Sequence, residues 1–128
     1  MAVGGCICNA GRWITWRSIY GTPPSGTVSI IEVGTGTTTP AVTQTGLSAT
    51  LGSRYGVLSG YPTYDETNQK VTTRYLIPAT GLNGQMLTEI GEFFSGTTPK
   101  GMFSRDVFTG ISKSGSDEIA FILVSQIT

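Results

Sequence analysis

Apolar and polar residues change their spacing once along this chain, close to residue 27. Before that point, "NAGRWITWRSIY" at 9–20 carries Trp13, Ile14 and Arg17 at intervals that share one helical face, with Asn9 placed to cap the first turn. Gly21 and the pair Pro23 and Pro24 end that helix. Beyond it the period becomes two, as in strands. "TVSIIEV" sets Val28, Ile30 and Glu32 against Ser29, Ile31 and Val33, which predicts a strand with both faces covered. "SRYGVLSGY" at 53–61 reads as a strand, and "PTYDETNQ" as the polar turn after it. "KVTTRYLI" at 70–77 puts Val71, Thr73, Tyr75 and Ile77 on one face. "MLTEIGEFF" and "MFSRDVF" form a hairpin around the loop "SGTTPKG". Met86, Thr88 and Ile90 fall on one side of its first strand, and Leu87, Glu89, Gly91 and Phe93 on the other. "EIAFILVSQI" closes the pattern with a near-continuous apolar run, suited to a buried strand. Short strands separated by Gly/Pro turns predict a mainly β fold: an antiparallel β-sandwich or barrel with one short N-terminal helix. Residues 1–128 form it as one domain.

Composition changes this picture in one respect. Charged residues are 12% of the chain, well under the roughly 25% of an ordinary domain. Eight basic and eight acidic residues cancel to zero net charge, which weakens the repulsion that keeps small domains apart. The expectation is a chain packed against neighbours, as a homo-oligomer or within a larger assembly. Lys and Arg are scattered singly, which predicts no nucleic-acid partner. No apolar run approaches the roughly 20 residues of a membrane-spanning helix, so no membrane partner is expected. "MAVGGCICNAGRW" has neither the basic nor the apolar region of a secretion signal. A cytosolic origin is expected, and a final place inside a particle would look the same.

Candidate chemistry is sparse. Cys6 and Cys8 stand too close for an unstrained intrachain bridge, and with no histidine in the chain they lack further metal donors. They read as free thiols, with an intermolecular disulfide or metal clip as the alternative. Neither a metal nor a cofactor is expected. Glu89 and Glu92 would share a helical face, but in a strand they point to opposite faces. A glycosidase needs two carboxyls roughly 5–10 Å apart in one cleft, so the hydrolase reading is weak. Glu89 is expected instead to pair with Arg105 or to cap turn amides, worth roughly 0–1 kcal/mol if exposed. "VGTGTTTP" at 33–40 has the glycines of a phosphate loop but lacks the Lys-Ser/Thr and the following helix. It reads as a flexible connection. Serines have no histidine to activate them, and no G-x-S-x-G elbow occurs. Tyr55, Tyr61 and Tyr64 either rim the core or offer stacking platforms for sugars. Trp13 and Trp16 either plug one end of the core or stand out as an anchor for a partner.

Three stretches together resemble a family of small structural proteins of tailed bacteriophages. They are "NAGRWI", "VGTGTTTPAVTQTGL" and "LTEIGEFF…GTTPKGMFSRDVF", which occur in order over most of the chain. Similar "tEiG" hairpins occur in attachment domains of phage tail fibres. Cys6, Cys8 and the two tryptophans depart from the pattern. The resemblance implies a virion component without enzymatic activity. A decoration or cement protein bound to the major capsid protein is the first expectation, and a tail, baseplate or fibre-attachment protein the second. A carbohydrate-binding β-sandwich is the rival from another class. The expected partner contacts are Trp13 and Trp16, then Thr37, Thr38, Thr39 and Pro40 in the 34–46 connection. Thr97, Thr98 and Pro99 at the tip of the 95–101 loop complete the set.

Overall fold

The computed structural model describes residues 2–21, 26–95 and 101–126. The elements are β1 (Ala2–Ile7), α1 (Asn9–Ile19), β2 (Val28–Gly34), β3 (Thr50–Gly56), β4 (Thr63–Asp65), β5 (Lys70–Ile77), β6 (Met86–Phe94), β7 (Met102–Ser112) and β8 (Ile119–Gln126). Every strand pair is antiparallel. One sheet has five strands in the order β1-β7-β6-β2-β3, and the other has three in the order β4-β5-β8. The fold is therefore the β-sandwich with a short N-terminal helix that the period-two pattern predicts. The sheets also touch at a corner. Beyond β3, Val57 bridges Tyr75 of β5, and the Leu58 N–H donates to the Arg74 carbonyl at 2.8 Å. That side is stitched in the manner of a barrel.

Two apolar layers explain why β2 and β6 are covered on both faces. Between the sheets, Ile31, Val33, Leu87, Ile90 and Phe108 pack against Tyr75 and Ile77 of β5. Phe121 and Leu123 of β8 close that layer, with Phe121 tilted against Phe108 at 5.6 Å between ring centres. On the far side of the larger sheet, Cys8, Phe93 and Met102 pack with Cys6, Ile30 and Leu47. Burying each of these aliphatic and aromatic side chains contributes roughly 1.5–3 kcal/mol, which is what holds a two-layer fold of this length together.

Five elements differ from the sequence reading. β1 pairs with β7 in a stretch whose glycines and cysteines give no strand pattern. The strand expected over 53–61 ends at Gly56, because the chain turns with Gly60 at φ +86 and the Tyr61 N–H bonded to the Leu58 carbonyl. The expected polar turn contains β4, a three-residue strand. The alternation in β6 breaks where its register with β7 shifts between Leu87 and Glu89. Thr88 and Glu89, neighbours in sequence, both reach Gly36. Leu87 consequently joins Ile90 in the layer between the sheets, not Gly91 and Phe93 on the other face. β8 is also not the buried strand expected: Ile122 and Val124 are 60% and 54% exposed, because the outer face of the smaller sheet has no cover among the described residues. The helix stop Pro23 and Pro24 lies outside the described residues.

The register shift makes a direct prediction. Leu87→Ala should cost about 2–5 kcal/mol in urea unfolding, whereas Met86→Ala should stay within about 1 kcal/mol. Equal costs at the two positions would mean that the alternation is unbroken.

Candidate interaction surface

α1 begins at Asn9, but Cys8 is the N-cap residue, and its side chain makes no capping hydrogen bond. The Asn9 amide instead donates to the Val42 carbonyl at 2.7 Å, tying the helix start to the long connection after β2. Gly11 and Ile14 form the inward face. A Cβ at Gly11 would lie 2.8 Å from both Cδ2 and the carbonyl oxygen of Phe103, so this position needs a glycine to let the helix approach β7. Trp13 and Arg17 do not share that face with Ile14, contrary to the grouping read from the sequence. They stand with Trp16 and Tyr20 around an outward depression of about 440 Å³. Trp13 and Trp16 are 63% and 56% exposed, so neither plugs the core. Trp16 stacks on Tyr20 with 5.7 Å between ring centres, which forms a flat aromatic surface on the outer side of the helix.

Glu89 and Arg105 are both fully buried and form an ion pair. Arg105 Nε donates to Glu89 Oε2 at 2.8 Å, and Nη2, which donates to Ser48 Oγ at 3.1 Å, lies 2.6 Å from the same carboxylate oxygen. Three backbone amides complete the carboxylate: Gly36 and Ala49 donate to Oε1 at 3.1 and 2.8 Å, and Ser48 donates to Oε2 at 3.1 Å. Arg105 Nη1 donates onward to the Thr38 carbonyl at 2.7 Å and to Gln44 Oε1 at 3.2 Å. The partner was legible in the sequence, but the pair is not the weak surface bridge considered there. The reading of 33–40 is corrected in a second way. Its glycines do cradle an anion, and the anion is the chain's own Glu89. A Cβ at Gly36 would overlap Ser48 Oγ and sit 2.6 Å from Glu89 Oε1. The connection is thus fastened at Gly36, Thr38, Gln44, Ser48 and Ala49. Burial raises the proton affinity of the Glu89 carboxyl, but the amides and Arg105 outweigh it and hold the pKa below the ordinary value.

Glu92 points the other way, between the sheets. Its Oε2 accepts from Tyr75 Oη at 2.9 Å and Thr73 Oγ1 at 3.0 Å, and its Oε1 accepts from Ser104 Oγ at 3.3 Å. No cation among the described residues pairs with it. Burial pushes its pKa up, opposed by those three hydroxyls and aided by the nearby charge of Asp106, whose own carboxyl is pushed up by burial. Glu92 also lies on the wall of a cavity of about 430 Å³ that Tyr61, Tyr64 and Phe103 help to line. Tyr55 does not join them. It packs against the core near Gly81.

Of the expected contact residues, Trp13 and Trp16 are brought together on one face. Thr37, Thr38 and Thr39 are exposed and Pro40 is half-buried, on a connection whose backbone Arg105 fixes. Thr97, Thr98 and Pro99 lie outside the described residues. Cys6 and Cys8 are free thiols, and burial pushes the Cys8 thiol up to about 11. Tyr20 is the member of the aromatic face that the sequence reading missed; its i, i+4 spacing from Trp16 was the available signal. Comparison with models of known protein families, with curated proteins and with solved structures finds no match to this chain.

The carboxylates generate two predictions. Glu89→Ala leaves Arg105 buried without its counterion and should cost about 3–5 kcal/mol in urea unfolding. Because the folded pKa of Glu89 is depressed, its stabilisation is complete above the unfolded carboxyl value and is lost as pH falls through the folded one. The sign reverses at Glu92, whose folded pKa is raised. Wild-type stability should fall as pH climbs from the ordinary carboxyl value to that raised one. Glu92→Gln keeps an oxygen for Thr73 and Tyr75, so it should remove its share of that decline and match or exceed the wild type at pH 7. A variant that is less stable at every pH would contradict this.

Proposed function

We propose that this chain is a non-enzymatic structural component of a tailed-phage virion. In this reading it is a decoration protein that binds the major capsid protein and reinforces the shell. It acts as an oligomer, assembled in the host cytoplasm and retained in the particle. The observation that carries the reading is the aromatic face of α1. Trp13, Trp16 and Tyr20 are exposed on a helix whose other face is seated by Gly11 and Ile14. Large exposed aromatics on a rigid support are what the buried centre of a protein interface requires. Zero net charge supports the same reading, since it permits dense packing on a lattice. Placement in the tail, baseplate or fibre attachment uses the same face against a different partner.

Trp13→Ala combined with Trp16→Ala removes side chains that the fold does not bury. Thermal unfolding should therefore change little, while binding to purified capsids of the parent phage should fall by more than about tenfold. Binding to isolated tails with none to capsids would favour the tail placement. Undiminished binding to capsids by the double variant would refute the role given to α1.

The carbohydrate-binding reading retains one favourable observation, the cavity lined by Tyr61 and Tyr64. In that reading a glycan array gives binding that Tyr64→Ala abolishes. No binding at high protein concentration removes it.

A further inference from the structure

β8 is an edge strand built unlike the other edges of this protein. Among the described residues its only strand neighbour is β5, so alternate N–H and C=O groups along its second side have no sheet partner. That side is not covered by β1 or β7. Ile7, Ser104 and Asp106 on one wall and Leu123–Gln126 on the other border an open groove of about 220 Å³. Natural edge strands are protected by charge, proline, shortness or a bulge. β4 is three residues long and includes Asp65. β3 carries Arg54 and a register shift, and β1 also has a register shift. β8 has none of these devices. Its eight residues, Ile119–Gln126, contain no charge and no proline, and they pair with β5 without a break from Ile119 to Gln126. Its outward side chains include Ile122 and Val124, more than half exposed.

We propose that β8 is the self-association surface, pairing antiparallel with β8 of a second copy about a twofold axis at Ile122. The inference rests on the assembly reading above for its setting, and it names how copies of the chain join. The sequence of the strand is self-complementary in this register. Ile122 faces Ile122 of the second copy, Ala120 faces Val124, and the first acidic residue before the strand, Glu118, falls opposite the neutral Gln126. No like charges meet, and both rows of free backbone groups are satisfied together. The smaller sheets of two copies become one sheet in the order β4-β5-β8-β8-β5-β4, with Arg74, the β5 partner of Ile122, flanking the apolar seam on each side.

Sedimentation of the full chain across concentration, with amide hydrogen exchange on the same samples, tests this. A species of twice the 13.5 kDa chain mass should appear, with amides of alternate β8 residues protected only in that species. Ile122→Lys sets like charges opposite each other on the axis and should weaken the dimer by more than about tenfold, with unchanged circular dichroism. Ile122→Cys in a Cys6→Ser background should give a disulfide-linked dimer on mild oxidation, whereas Glu118→Cys should not. A wild-type monomer at the highest attainable concentration, or a dimer indifferent to Ile122→Lys, would overturn the pairing. So would β8 protection that appears only on capsids, which would assign the edge to a strand of the shell. A monomer that still binds capsids through Trp13 and Trp16 sinks only this pairing. A β8-linked dimer with no affinity for any virion part sinks only the proposed function.

Discussion

A carboxylate and a guanidinium, neither of them touched by solvent, lie between the larger sheet and the connection that follows β2. Removing two such charges from water costs several kcal/mol each, and only close geometry with every remaining donor and acceptor filled can offset it. The Glu89 and Arg105 site meets that demand with backbone: amides of Gly36, Ser48 and Ala49, and the carbonyl of Thr38. The same bonds that satisfy the charges fold the connection after β2 down onto β6 and β7. With it comes Leu47, which covers Phe93 and Met102 and closes the second apolar layer. Charge satisfaction and hydrophobic burial are therefore one arrangement here. Among the described residues, no buried side-chain nitrogen or oxygen lacks a partner.

This arrangement accounts for the segments that carry the phage resemblance. The glycines of "VGTGTTTP" are close-approach positions around Glu89. The Glu and Gly of "TEIG" supply the anion and a position where a Cβ would meet Leu47, Met102 and Phe93 at 3.0–3.1 Å. "SRDVF" supplies the arginine, and the glycine of "NAGRW" lets α1 sit on Phe103. These segments are scaffold. The outward groups, Trp13, Trp16, Tyr20, Ile122 and Val124, lie outside this network.

The strand at 70–77 was legible because Arg74 is exposed between the buried Thr73 and Tyr75, whereas β2 and β6, covered on both faces, showed only through their β-branched and aromatic residues. β1 was not legible, because glycine and cysteine carry no period. Neither was the break at Thr88 and Glu89, because a register shift leaves no mark in composition. Glu89 was matched to Arg105 from sequence, yet its burial was not, since one residue's depth depends on a loop folding back over it from forty or more positions away. The tryptophans were ambiguous for a related reason. The spacing of Trp13, Ile14 and Arg17 reads as one face, whereas Ile14 turns inward with Gly11 against Phe103 and leaves Trp13 and Arg17 outside with Trp16 and Tyr20.

Native-state hydrogen exchange at the amides of Gly36, Ser48 and Ala49 bears most directly on the central claim, because those three protons lie in the bonds to Glu89. If the buried ion pair fastens the connection to the sheet, they exchange only through global unfolding, with the same opening free energy as the amides of β6. Fast exchange at these three positions while β6 stays protected would mean that the loop opens on its own and that the fold does not depend on the pair.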